Sequence, residues 1–293
     1  MIYKSVDDWK SAGNKRLLFF GMSGVGKTRI ASVLRKTGKW FHYSVDYRIG
    51  TRYMGEYIAD NYKLEAMKNP FLANLLKSDS IDISSNITFG NLEPLSTYLG
   101  KPGDAGRGGI PIDEYRRRQH LHRESEIAAL HDTVHFIRRA SEIYDYPHFV
   151  CDTGGSICEV TDPSDPHDQL LSELSEHMLL VWIRGGSDHS EHLTRRFRQM
   201  PKPMCYRSGF LDRNWNRFLD ENGLADGDVD PDEFATWIYS RALQSRQPRY
   251  EAMAGNFGVT IDASSLLNVE SADECCRLIT EALERRSSPA NSC

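Results

Sequence analysis

A glycine-rich segment near the start of the chain has the residues best suited to bind a phosphate. Residues 21–28, GMSGVGKT, match the pattern G-x-x-x-x-G-K-[ST] and lie between an apolar run and a stretch with helical periodicity. Glycines let backbone N–H groups turn toward a phosphate, and the start of the following helix adds partial positive charge. The lysine can reach the β- and γ-phosphates of a nucleotide, and the threonine hydroxyl can bind Mg²⁺. We call residues 21–28 the phosphate loop. The sequence predicts a nucleoside triphosphate site formed by Gly21, Ser23, Gly24, Val25, Gly26, Lys27, Thr28 and Arg29.

Two aspartates that follow predicted strands are candidates for chemistry beside this loop. Asp152 ends an apolar run at 148–151, and Asp46 follows an aromatic strand at 40–45. An acid at a strand end can hold Mg²⁺, and an acid near an attacking hydroxyl can accept its proton. An ordinary turn aspartate is the alternative for both residues. We predict that Asp152 and Thr28 bind the metal and that Asp46 positions a phosphoryl acceptor.

A basic segment follows the fourth predicted strand, in a chain whose formal net charge is −5. Phosphoryl transfer needs positive charge near the γ-phosphate, and that charge often comes from a segment that closes over the nucleotide. A solvent-exposed helix face is the alternative, because runs of charge usually lie at the surface. The basic residues of this segment are Arg195, Arg196, Arg198, Lys202 and Arg207.

Alternating strands and helices must position these residues. This alternation favours an α/β fold in which a five-stranded parallel sheet is covered by helices on both faces. We expect one domain over 1–286, with a mostly helical insertion at about 50–145, a basic lid at about 187–207, and a disordered tail at 287–293. The predicted strands lie near 16–20, 40–45, 148–152, 178–183 and 258–261. The predicted helices lie near 1–14, 26–36, 51–78 with an interruption at Asn69-Pro70, 112–144, 231–244, 247–254 and 271–285.

Composition limits the classes of partner. The negative net charge gives no general attraction to nucleic acid or to anionic membranes, so we expect neither as a partner. No run of 18 apolar residues exists, and residues 1–15 lack the pattern of an export signal. The six cysteines include no C-x-x-C pair, which is typical of a reducing compartment. We therefore expect a cytoplasmic protein.

The order and spacing of the motifs resemble those of shikimate kinase-type P-loop kinases. In that family the phosphate loop is followed by D-S-D, F-R-x-x-E, a G-G-G turn, a basic lid, and R-x-P-x-Y before the last strand. The corresponding segments here are Ser44-Val45-Asp46, His122-Arg123-Glu124-Ser125-Glu126, Gly154-Gly155-Ser156, Arg195 with Lys202-Pro203-Met204-Cys205, and Arg246-Gln247-Pro248-Arg249-Tyr250.

This resemblance implies a P-loop NTPase three-layer sandwich with strand order 2-3-1-4-5, and ATP and Mg²⁺ as cofactors. It implies that Lys27, Asp46 and Lys202 are catalytic, that Lys202 closes over the phosphates, and that Arg195 lies near the adenine. The acceptor site implied by the family consists of Asp46, Arg123, Gly154, Gly155 and Arg246.

The chain also departs from the family pattern. Ser44 replaces the first aspartate of D-S-D, Ser156 replaces the third glycine, and Lys202 replaces an arginine of the lid. Lysine keeps the charge of arginine but loses its planar fork of donors. The segment 50–145 is much longer than the segment that selects the acceptor in the family, so the resemblance predicts phosphoryl transfer without identifying shikimate as the acceptor.

Two functions from different classes remain open at this point. The first is an ATP-dependent kinase that acts on a small, hydroxylated and anionic metabolite. The second is an ATP-hydrolysing switch or scaffold that contacts a protein partner through 50–145. A nucleotide or nucleoside kinase is a third, minor alternative, and a GTPase is disfavoured because the chain has no N-K-x-D motif.

Overall fold

A five-stranded parallel sheet forms the centre of the computed structural model, which describes residues 1–186, 193–195 and 197–287. The strand order is β2-β3-β1-β4-β5, with helices around the sheet, as expected of a P-loop α/β fold. The predicted fold class and strand order are therefore confirmed. The strands are β1 (Arg16–Phe20), β2 (Trp40–Ser44), β3 (His148–Asp152), β4 (Leu179–Arg184) and β5 (Gly258–Asp262).

The burial of the central strands explains why these segments form strands. Residues 17–20 of β1 have no exposed surface, and the first five residues of β4 are buried. Continuous apolar runs of this kind are typical of parallel strands that are covered on both faces. The pairing places Phe19 beside Asp152 and Ser44 beside Asp152. The carboxyl ends of β1, β2 and β3 therefore meet at one edge of the sheet, where the phosphate loop begins.

The helices account for most of the remaining described residues. Short π- and 3₁₀-helical turns cover Ile49–Tyr53, Ala105–Arg107 and Asp226–Asp228, and residues 193–195 and 197–199 are also helical. The α-helices are Val6–Ser11, Lys27–Lys36, Val45–Arg48, Gly55–Ala66, Pro70–Lys77, Glu93–Leu99, Ile112–Glu142, Ile157–Val160, Gln169–His177, Ser208–Asn222, Pro231–Phe257, Ala263–Leu266 and Ala272–Ser287.

The structure corrects several predicted boundaries. Asp46 lies in the short helix Val45–Arg48, two residues beyond the end of β2, and not at the strand tip. The two helices predicted at 231–244 and 247–254 are one helix, with Pro248 inside it. The helix Ser208–Asn222 was not predicted from the sequence. Its Trp215 packs edge-on against Phe234 with ring centroids 4.7 Å apart, a contact that sequence periodicity does not reveal.

The chain forms two compact units. The first contains the described residues of Met1–Val45, Leu130–Met200 and Tyr239–Cys293, and it holds the sheet and the phosphate loop. The second contains Asp46–Ala129 and Pro201–Ile238, and it is built from helices and turns. One domain with an insertion at about 50–145 stays a prediction.

Two further expectations concern membranes and the end of the chain. Among the described residues, no helix combines the length and the apolar character needed to cross a membrane. The last helix ends at Ser287, and the remainder of the predicted tail, 288–293, lies outside the described residues.

Candidate nucleotide-binding site

The phosphate loop connects β1 directly to the helix Lys27–Lys36. Its backbone requires glycine at the first position, because Gly21 has a φ of 133° and a Cβ there would lie 2.6 Å from the carbonyl oxygen of Ile183. The same Cβ would lie 3.2 Å from Cδ1 of Trp182, so this indole packs against the start of the loop. Gly24 and Gly26 also have positive φ angles, of 81° and 98°. The loop thus has the tight glycine-dependent turns that a phosphate cradle needs.

The lysine of the loop folds back over the loop itself. Lys27 is 7% exposed, and its Nζ donates hydrogen bonds of 2.8 Å to the carbonyl oxygens of Gly21 and Met22. The helix that begins at Lys27 adds the partial positive charge of its N-terminus at the same place. Positive charge is therefore concentrated at the loop, as binding of a polyphosphate requires.

Arg29, which the sequence also predicted to bind the nucleotide, has other partners in the structure. Its guanidinium donates hydrogen bonds of 2.7 Å and 3.0 Å to the carbonyl oxygens of Leu266 and Val269. These bonds connect the helix after the phosphate loop to the segment after β5. A contact between Arg29 and nucleotide stays a prediction.

Asp152 lies buried at the end of β3, beside the start of the helix that follows the phosphate loop. Burial alone would raise the pKa of Asp152, but hydrogen bonding and charge from His42 and hydrogen bonds from Thr28 and Ser44 outweigh it, so the pKa is lowered. The carboxylate is thereby kept ionised although only 4% of Asp152 is exposed.

The oxygen atoms of Asp152 and Thr28 fit a hard divalent cation. Mg²⁺ prefers oxygen ligands, commonly one or two carboxylates with waters and phosphate oxygens. Among the residues that the structure describes, no three His, Cys, Asp or Glu side chains converge as they would in a metal cage built entirely from protein ligands. The two oxygen donors would suit Mg²⁺ together with waters and phosphate oxygens.

Gly155 lies against both the phosphate loop and the predicted acceptor-binding arginine. A Cβ at Gly155 would be 3.3 Å from the backbone nitrogen of Ser23, 3.7 Å from the hydroxyl of Tyr250 and 3.8 Å from Nη1 of Arg246. The Tyr250 hydroxyl donates a hydrogen bond to the Gly155 carbonyl oxygen. The structure thus brings three predicted site residues, Ser23, Gly155 and Arg246, together within the first unit.

Arg246 forms a buried ion pair that was not predicted from the sequence. It is 2% exposed, and its Nε donates a 2.7 Å hydrogen bond to Oε1 of Glu159, which is 6% exposed. Burial, the largest single influence, lowers the pKa of Arg246, but the charge and hydrogen bond of Glu159 together with the charges of Tyr250 and Cys158 outweigh it, so the pKa is raised and the guanidinium stays charged. A glutamate within the otherwise apolar segment 157–160 is the sequence feature that could have indicated a buried partner for a basic residue. The charge of Arg246 is therefore already matched by a carboxylate of the same unit.

The remaining predicted residues of the acceptor site and lid lie mostly in the second unit. Asp46 lies in the helix Val45–Arg48, Arg123 is exposed on the helix Ile112–Glu142, and Lys202 donates a 2.9 Å hydrogen bond to Glu93. A common site for Asp46 and Arg123 with Gly154, Gly155 and Arg246 stays a prediction.

Arg195 lines a cavity of about 450 Å³ in the first unit. Leu193, two residues earlier, lies near Gly24, because a Cβ on this glycine would be 3.0 Å from Cδ2 of the leucine. The other lining residues are Thr194, Arg198, Ser240, Leu243, Gln244 and Gln247. The parts of the predicted lid at 187–192 and Arg196 lie outside the described residues. A contact between Arg195 and adenine stays a prediction.

Comparisons with known proteins add a structural likeness. No family model matches the chain, and no curated protein matches it. Among solved structures, a match is the crystal structure of a shikimate kinase from Bacteroides thetaiotaomicron, which is 14% identical in sequence. This match covers 92% of this chain and 95% of that chain, with a TM-score of 0.37. A likeness of this degree carries no functional argument, so the function must be argued from the site itself.

Proposed function

We propose that this protein is an ATP-dependent phosphotransferase that phosphorylates a hydroxyl of a small, anionic metabolite. The observation that supports this proposal best is the phosphate loop, with Lys27 folded onto its carbonyl oxygens and Asp152 hydrogen-bonded to Thr28. These are the parts that phosphoryl transfer from a nucleotide uses, because its catalysis consists mainly of positioning and charge stabilisation.

The donor half of the proposed site holds Mg·ATP. The backbone N–H groups of the phosphate loop and Lys27 bind the phosphates, and Asp152 and Thr28 hold the metal. Mg²⁺ neutralises charge on the β- and γ-phosphates when it is bound. The Lys27 ammonium group donates hydrogen bonds to two loop carbonyl oxygens. When a nucleotide binds, phosphate oxygens would replace these two acceptors, so the ammonium group would keep the same number of hydrogen bonds.

The acceptor half places a hydroxyl beside the phosphate loop. Asp46 accepts the hydroxyl proton as the acceptor oxygen bonds to the γ-phosphorus, and the bond from that phosphorus to the bridging oxygen breaks to release ADP. Arg123 and Arg246 would hold the anionic group of the acceptor. Arg195 and Lys202 would close over the nucleotide and exclude water. The proximity of Gly155 to Ser23 and Arg246 supports this arrangement.

A second candidate function, an ATPase switch or scaffold with a protein partner, is favoured by a different observation. The helices Gly55–Ala66 and Pro70–Lys77 and their connection expose four large apolar side chains. Exposed apolar side chains that form a contiguous patch are typical of protein interaction sites, and these four lie close together in sequence. These residues are Tyr57, Leu64, Met67 and Phe71, with exposed fractions of 46%, 67%, 40% and 70%.

A metabolite-library screen for ADP release would test the proposed function and separate the two candidates. A kinase should hydrolyse little ATP alone, respond strongly to one class of hydroxylated anion, and transfer labelled phosphate to that compound. A switch should hydrolyse ATP slowly whatever metabolite is present and should respond to a protein. Lys27→Ala should lower ADP release at least about 100-fold, since loss of one electrostatic group at a transition state commonly costs that much. ADP release that survives in Lys27→Ala would contradict both candidates.

A further inference from the structure

A buried histidine contacts the proposed metal ligand. His42 lies in β2, and the β2–β3 register places Ser44, two residues further along, directly beside Asp152. Residues two apart on a strand point to the same face of the sheet. The His42 side chain is 2% exposed, and its Nε2 lies 3.3 Å from Oδ1 of Asp152. His42 and Ser44 therefore contact the same carboxylate from one strand.

A histidine at this position needs a physical reason. A polar group that leaves water costs free energy unless a polar partner compensates it, and an apolar side chain would fill the same space in β2 without this cost. The contact of 3.3 Å places an imidazole nitrogen against the Asp152 carboxylate, which offsets part of this cost and also restricts the carboxylate. Partners of metal ligands commonly work in this way, because they fix the orientation of the ligand before the metal binds.

We propose that His42 is a positioning residue that holds the carboxylate of Asp152, through Nε2–H and Oδ1, in the orientation that binds a divalent cation. The inference rests on the proposed function, in which Asp152 and Thr28 hold the metal. It assigns to His42 no direct contact with metal, nucleotide or acceptor.

Metal affinity is the measurement that tests this inference. Mn²⁺ binding to the full chain with saturating AMP-PNP, a non-hydrolysable ATP analogue, can be followed by electron paramagnetic resonance. His42→Leu should weaken Mn²⁺ binding about 10- to 100-fold, the usual effect of removing a partner of a metal ligand. His42→Gln should restore most of the affinity, because its amide N–H can donate from a position near that of Nε2. Equal Mn²⁺ affinity in wild type and His42→Leu would overturn the inference.

Two further variants separate this inference from the proposed function. His148→Gln is the matched control, since His148 lies at the amino end of β3, and it should leave Mn²⁺ affinity unchanged. Asp152→Asn should weaken Mn²⁺ binding at least as much as His42→Leu. If Asp152→Asn weakens binding and His42→Leu does not, only the role of His42 is wrong. If Asp152→Asn has no effect, the metal assignment in the proposed function is also wrong.

The tautomer of His42 can be measured in the wild-type protein, so this test does not depend on whether a variant folds. The inference requires the His42 tautomer with a proton on Nε2. The ¹⁵N chemical shifts of the His42 ring distinguish the two tautomers in histidine-labelled protein. A ring with its proton on Nδ1 and none on Nε2 would overturn the inference even if His42→Leu fails to fold.

Discussion

At the scale of single residues, the buried charges of the first unit have partners in the same unit, and two of these partners are distant in sequence. Lys27 donates hydrogen bonds to carbonyl oxygens of its own loop, Asp152 contacts His42, and Arg246 donates a hydrogen bond to Glu159. The sequence predicted the first residue of each pair, because its type and spacing belong to a motif. It did not predict His42 or Glu159 as partners, since neither side chain belongs to a motif and each meets its partner only in the folded sheet.

Asp46 is the residue on which the acceptor side of the proposed function depends. Asp46→Asn should lower the rate of phosphoryl transfer about 10²- to 10⁴-fold, the usual contribution of a general base, with little change in ATP affinity. Steady-state kinetics with calorimetric measurement of ATP binding checks both parts. Asp60→Asn, on an exposed part of the helix Gly55–Ala66, is the matched control and should leave both values unchanged. Full turnover in Asp46→Asn would remove Asp46 from the acceptor site.

The ion pair of Arg246 and Glu159 leads to a prediction about stability. Glu159→Gln should destabilise the protein by about 3–5 kcal/mol, because it leaves a buried guanidinium without this carboxylate. Urea unfolding measures the change. Glu281→Gln, which breaks an exposed pair with Arg277, is the control and should cost less than about 1 kcal/mol. A similar small value for Glu159→Gln would show that the buried pair does not stabilise the fold.

At the scale of elements, the strands were predicted well and some helices poorly, for physical reasons. Five apolar or aromatic runs with the right lengths indicated five strands, and each lies within two residues of its predicted position. Pro248 suggested a helix end, because proline lacks an N–H donor and costs about 3 kcal/mol inside a helix. The helix continues because Arg249 and Tyr250, the next residues, donate hydrogen bonds to the carbonyl oxygens of Cys158 and Gly155. Those partners lie far away in sequence.

The first turn of the helix Ile112–Glu142 should make stability depend on acid pH. Hydrogen bonds from Arg117 and then Arg118 lower the pKa of Glu114 to about 2, from an ordinary value of 4.5. A lowered carboxyl pKa stabilises the fold above the unfolded pKa, and this stabilisation is lost as the pH falls toward the folded pKa. The stability difference between wild type and Glu114→Gln should therefore be constant above about pH 5.5 and shrink from about pH 4.5 to pH 2.

Chemical unfolding of both proteins across this pH range measures the effect. As a control, Glu114→Gln is also made in a protein in which Arg117 and Arg118 are both glutamine. The stability difference caused by Glu114→Gln should then no longer depend on pH, because the groups that lower the pKa of Glu114 are absent. A difference that stays constant down to pH 2 would contradict the assignment.

At the scale of the whole molecule, the sequence predicted the residues at the edge of the sheet more easily than the residues of the second unit. The phosphate loop follows β1 and Asp152 ends β3 of the same sheet, and the parallel order brings these strand ends to one edge. Asp46 and Arg123 belong to the second unit, which is built from helices and turns. No rule as simple as the order of parallel strands predicts which side chains of such a unit lie close together. The periodicity of the sequence also did not predict that apolar side chains of this unit, such as Leu64 and Phe71, are exposed.

The packing of Trp182 against Gly21 gives the protein an optical reporter of its own ligand. This indole is 5% exposed and lies at the start of the phosphate loop, so nucleotide binding should change its fluorescence. Addition of ADP should shift or quench the intrinsic emission, and the change should vanish in Trp182→Phe. Trp40→Phe, at the amino end of β2, should keep it. An emission change that persists in Trp182→Phe would assign the signal to another tryptophan. With Trp182 as the reporter, binding can be titrated in the unlabelled protein before any acceptor is known.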